Sequence, residues 1–194
     1  GTLRSAQARH TARLMAARLA INIAQPTLSR CDDIDSLDID ADSLSAMSVA
    51  EDQVGFAMEV FAARSFGHAT LDISDRHKTT SQRLISLSGA EDNRAKTYDV
   101  TQLLANPNTI VDSATGLYAP TDAVLEMNCA RSEIAAVAAS STSSNASTKS
   151  QTTSDDHSDD SREQSLGMLA SMIADRVDLA LDWGYPAFDE ALFA

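Results

Sequence analysis

The first 31 residues of the chain hold five arginines (Arg4, Arg9, Arg13, Arg18 and Arg30) and no acid, and the next 32 hold nine acids and no base. Charge segregated this sharply constrains the fold. The basic block must come to rest on acid, either its own or a partner's. The chain as a whole is acidic, with a formal net charge of −13, the reverse of the basic footprint that duplex-binding proteins carry. Nucleic acid is therefore not the expected partner. If the chain did meet nucleic acid or an anionic surface, Arg4, Arg9, Arg13 and Arg18 would make that electrostatic contact.

The basic block reads as a helix ended by Pro26. Its arginine content and lack of acid are those of an organelle transit peptide, but the helical phase argues for a packed element. Ala8, Ala12, Met15, Leu19 and Ile23 line one seam, and Leu3, His10, Leu14 and Ile21 line another. A helix apolar on two sides is sandwiched between neighbours. His10, lying in an apolar seam, is expected to be a satisfied core histidine.

In the acidic block, Asp38, Asp40 and Asp42 alternate as at the start of an EF-hand loop. Ser43 stands where that loop requires glycine, and Val49 where it requires a bidentate glutamate, so the run is read as an acidic lead-in to a helix. Ser48 and Glu51 have the spacing of a capping box. With Arg64 near the last turn and Gly67 as the stop, the spacing predicts a central helix over about 49–66. Glu51, Asp52, Gly55 and Glu59 form its narrow polar arc.

Between 68 and 118 the pattern shortens its period. HATLDIS alternates as a strand does and SQRLISLSG reads as a second strand, which places a hairpin turn at Asp75–Lys78. YDVTQLLANP predicts a short helix stopped at Asn106–Pro107, and NTIVDSATGLYAP an extended segment turning at Gly116. A helix follows from Thr121, with Ala123, Met127, Ala130, Ile134, Val137 and Ala138 on one face. Residues 140–161 include 13 serines and threonines in 22 positions. Nothing there offsets the entropy of ordering, so the run is read as a flexible linker. Beyond it, Leu166, Leu169, Met172, Ile173, Val177, Ala180, Leu181 and Trp183 cover one broad side of a last helix, while Ser171, Asp175, Asp178 and Asp182 form a stripe read as its solvent face.

The expected architecture is mainly α with a small β-hairpin region: a core domain over 1–139 with the hairpin within 68–118, the linker over 140–161, and a C-terminal helix and aromatic tail over 162–194. Four of the nine aromatic residues, Trp183, Tyr185, Phe188 and Phe193, fall in the last twelve positions. Rings so concentrated must pack against something, in the chain's own core or in a groove on another subunit. Trp183, Tyr185, Phe188, Leu192 and Phe193 are therefore the candidate partner-binding residues. The functional expectation is a non-catalytic structural or assembly protein, a component of a larger homo- or hetero-oligomeric complex such as a virion shell.

The sequence contains no GxGxxG, GxxxxGK[ST], GxSxG or HExxH, so no phosphate cradle, nucleophile elbow or zincin helix is expected. Cys31 and Cys129 lack metal-ligand spacing. No catalytic residue, metal or cofactor is assigned. The alternative is a small metal-dependent enzyme or binder using His68, Asp72 and His77, which the proposed hairpin would cluster. No apolar run reaches the roughly 20 residues of a membrane span and no signal peptide is evident, so a soluble chain of unassigned compartment is expected.

Overall fold

The computed structural model describes residues 1–22, 24, 26–28, 34–147 and 156–192. The architecture is mainly helical with one two-stranded antiparallel hairpin. In chain order it comprises α1 (Thr2–Arg18), α2 (Ala41–Ala62), α3 (Leu71–Ser88), α4 (Thr101–Ala105), β1 (Thr109–Val111), β2 (Tyr118–Pro120), α5 (Thr121–Ser147), α6 (Asp156–Asp182) and α7 (Asp189–Leu192). Cys31 and Phe193 lie outside the described residues, as does the middle of the Ser/Thr-rich run, 148–155.

The central helix α2 begins eight residues before the expected start. Asp40 is its N-cap, accepting from the Ser43 amide at 2.8 Å, with Asp42 in the first turn. One of the alternating acids thus satisfies an orphan helix donor and a second favours the dipole. The capping box is corrected accordingly: Ser48 and Glu51 lie inside the helix and are fully buried.

The largest correction concerns residues 71–88, which form a helix and not two strands. Thr70 caps α3, accepting from the Ile73 amide at 3.2 Å, and Gly89 ends it in the left-handed conformation at φ 63°. Period-two alternation misled because the buried face of α3 is polar: Ser74, His77, Thr80 and Ser81, with Leu84 and Ile85 at the end. Small hydroxyls do there what aliphatic residues do elsewhere. Ser74 donates to the Gly55 carbonyl (2.8 Å), Ser81 to the Ser48 carbonyl (2.8 Å) and Ser48 to the Ser81 carbonyl (2.9 Å). Each bond holds α2 and α3 close while leaving no hydroxyl unsatisfied. Gly55 permits the approach, since a Cβ at that position would lie 3.2 Å from both His77 Cβ and the Ser74 carbonyl.

The hairpin lies further along, with Thr109 opposite Pro120, Ile110 opposite Ala119 and Val111 opposite Tyr118. Its turn closes on Asp112, whose carbonyl accepts from Gly116 at 2.7 Å, and the helix expected from Thr121 follows directly. The main core joins α2, α5 and α6 through Val54, Met58, Met127, Ile173 and Val177, with a second cluster around Leu44, Met47, Leu84, Leu169 and Met172. No helix among the described residues is long and apolar enough to cross a membrane.

The basic block rests on the chain's own acid. Arg13 pairs with Asp178 through two contacts, one at 2.7 Å. Arg9 reaches Asp175 at 3.3 Å and Asp178 at 3.4 Å, and Arg4 reaches Asp189 at 2.7 Å. Arg18, in the last turn of α1, is exposed. The stripe Asp175–Asp178–Asp182 is thus the seat of α1, with Asp178 buried, and not a solvent face.

Candidate functional site

Five ionisable side chains converge in the interior, one each from α2, α3 and α6 and two from α5. Glu51, His77, Glu126, Glu133 and Arg176 are all buried, none more than 1% exposed. The imidazole of His77 lies between two carboxylates, with Nδ1 2.6 Å from Glu51 and Nε2 2.9 Å from Glu126. Arg176 pairs with Glu51 and lies 3.2 Å from Glu133. It also donates to the Met172 carbonyl at 2.6 Å.

The electrostatics follow from this geometry. Burial disfavours the imidazolium, but Glu126 and Glu51 on either side outweigh it and raise the His77 pKa to about 9. Burial likewise opposes an ionised Glu51, yet Arg176 and His77 bring it down to about 2. Glu133 shifts the other way: burial and the negative charges of Glu51 and Glu126 push it well above the carboxylate range against the pull of Arg176, favouring the acid form. Two carboxylates then face two cations, and the neutral fifth member holds the proton. Neutralisation of this kind is what allows so many charged groups to sit in one core.

Cys129, one helical turn after Glu126, borders the cluster. Its thiol, Glu51 and His77 each offer a ligand atom, and these atoms lie within 4.8 Å of one another. Burial and the carboxylates nearby raise the thiol pKa well above its usual value, so it is not an activated nucleophile. Cys129 also belongs to the wall of a cleft of about 300 Å³ between α2, α5 and the segment at Tyr98–Leu103.

The three residues His68, Asp72 and His77 are not brought together. His68 lies before α3, where its ring stacks on Trp183 (centroids 5.4 Å apart, planes 10° apart) and its Nδ1 lies 2.9 Å from Asp122. The neighbouring Gly67 has φ 54°, and a Cβ there would run into the Asp122 carboxylate. Asp72 pairs at the surface with Arg76 at 2.7 Å. Only His77 belongs to the buried cluster.

Of the candidate docking residues, Trp183, Tyr185 and Leu192 are buried in this chain's own core, and Phe188 is half exposed. Tyr185 is fixed by a polar hub in which its hydroxyl contacts Asp112 and accepts from Arg131 at 2.7 Å, while Arg131 donates to Asp112 at 2.8 Å. His10 is only partly buried and its Nδ1 has no hydrogen-bond partner, so it is not the satisfied core histidine its seam suggested.

Glu126, Glu133 and Arg176 were missed by sequence reasoning, although each leaves a trace. Glu126, Ala130 and Glu133 fall on the same side of α5 as Met127, and Arg176 lies between Ile173 and Val177 in the apolar stripe of α6. A charge inside an apolar stripe is the signal.

No family model matches the chain, and neither a curated protein nor a solved structure does.

Proposed function

We propose that the chain is a non-catalytic assembly module, a helical bundle that presents the outer side of α1 to an apolar helix of another protein subunit. The observation that carries this reading is the one-sidedness of α1. Its inner side is tied to α6 by arginine–aspartate pairs, while Leu14, Met15, Leu19 and Ile21 are each more than half exposed. Ala8 and Ala12 continue the exposed seam and are small enough for a second helix to come close.

A cleft of about 270 Å³ opens beside the seam, lined by His10, Arg13, Leu14, Ala17, Ile21 and Asp182. A recess within an apolar patch suits one anchoring side chain from a partner. Burial and then Arg13 lower the His10 pKa, which favours a neutral ring able to join a hydrogen bond across the interface. Protein suits this surface better than nucleic acid, because Arg4, Arg9 and Arg13 are already engaged by aspartates. The alternative of a metal-dependent enzyme or binder built on His68, Asp72 and His77 together has less support, because the three side chains have separate partners.

The test is isolation of the native complex, followed by light scattering on the wild type and on a Met15→Glu/Leu19→Glu variant of unchanged circular dichroism. The expected result is a wild-type assembly with a stoichiometric protein partner or a second copy, which the variant loses. A wild-type chain that is monomeric in its native extract, or a variant that keeps its partner, would overturn the reading.

A further inference from the structure

We infer that the interior cluster is a site for one zinc-class divalent cation, with His77, Cys129 and Glu51 as its ligands and Glu126 holding the far imidazole nitrogen. The inference is independent of the assembly reading. It begins from donors on α2, α3 and α5 pointing into one interior point, the arrangement from which helical bundles build metal sites. Ligand atoms of Glu51, His77 and Cys129 lie within 4.8 Å of one another. Ligands on one zinc ion stand roughly 3–4 Å apart, so small rotations of these side chains close the set.

A second observation supports the set. Glu126 is fully buried on the far side of the ring, with its Oε1 2.9 Å from Nε2, the outer carboxylate that orients a metal-bound imidazole. A mixed thiolate, imidazole and carboxylate set selects zinc or cobalt over magnesium or calcium, which take oxygen ligands alone.

Charge balances as well. With Glu133 in its acid form, the carboxylates of Glu51 and Glu126 balance His77 and Arg176. One divalent cation entering, with one proton leaving His77 and one leaving the Cys129 thiol, keeps that balance. Arg176 keeps its places beside Glu51 and Glu133 and needs no new partner. The cleft bordered by Ala50, Gln53, Val54, Tyr98, Leu125 and Cys129 gives the ion its route from solvent.

Chelator-treated full-length protein titrated with cobalt(II), then challenged with zinc, tests the inference. The expected result is one equivalent bound, a thiolate-to-cobalt absorption band, and loss of that band when zinc is added. Cys129→Ser, a near-isosteric change, should abolish the band and weaken binding roughly tenfold or more, while Cys31→Ser should keep both. Zinc should also slow alkylation of Cys129 in the wild-type chain, a readout that does not depend on any variant folding. Failure of folded wild-type protein to bind either ion saturably, or a band that persists in Cys129→Ser, would overturn the inference.

Discussion

Two regions of this molecule join helices with opposite charges, and they differ in nearly everything else. Between α1 and α6, arginines reach aspartates across a seam partly open to water, with Arg9 40% exposed on its side chain and Asp178 buried beneath it. Between α2, α3, α5 and α6, glutamates, a histidine and an arginine meet in the buried interior. In the first, losing one arginine costs little, because the exposed groups are resolvated and the buried Asp178 keeps a second arginine partner. In the second each charge is tolerated only because its neighbours are present, so removing one strands the others. The surface seam positions a helix, whereas the buried cluster decides whether four helices pack in this one arrangement.

The comparison is broken most severely by Arg176→Met. Glu51 would lose its principal counter-ion and the carboxylates of Glu51 and Glu126 would face His77 alone, so a loss of roughly 3–5 kcal/mol is expected, read by urea denaturation. A chain as stable as the wild type would mean the cluster is not ionised as described.

The pH dependence of stability in the metal-free chain comes next. His77 has its pKa raised from 6.5 to about 9, so its contribution is complete below pH 6.5 and disappears as pH climbs to about 9. That contribution is roughly 3 kcal/mol. Glu133, also raised, acts in the same direction from 4.5 upward. Glu51 is lowered from 4.5 to about 2, so its contribution is present above pH 4.5 and fades as pH falls to about 2. Greatest stability is therefore expected in weak acid, between 4.5 and 6.5, and a maximum above pH 8 in a thermal melt series would contradict this.

Glu133→Gln sharpens the distinction inside the cluster. Because Glu133 favours the neutral acid, the amide should change stability by less than about 1 kcal/mol, whereas Glu51→Gln should cost several times more. Equal losses would show that the two carboxylates share one state. The smallest effects belong to the surface seam. Arg13→Ala, against the buried Asp178, should cost about 1 kcal/mol and less in high salt. Arg4→Ala, with both partners more than half exposed, should leave the melting temperature at the wild-type value.

The same contrast explains what was legible in the sequence. Helices whose buried side is aliphatic, such as α2 and α6, announce themselves through periodicity, and Met58, Phe61, Leu169 and Ile173 lie in the core as their spacing predicts. The mainly helical class and the turn at Gly116 follow from the same signals. α3 was hidden because Ser74, His77 and Ser81 occupy its inner side, and hydropathy scores these as surface. The cluster was hidden for a related reason. Glu51 looked like one member of a polar arc, and the partners that make its burial tolerable come from positions 77, 126 and 176, far apart in sequence. The aspartates of α6 read as solvated until α1 was seen against them, although the acid-free start had already required such a seat.

The central claim is that a positively charged imidazole sits sealed between two carboxylates in the core. Nitrogen-15 chemical shifts of His77, followed across pH in metal-free protein, test it most directly. The account predicts that both ring nitrogens carry protons at pH 7, with a midpoint near 9. A neutral single tautomer at pH 7, with a midpoint below the ordinary 6.5, would contradict it.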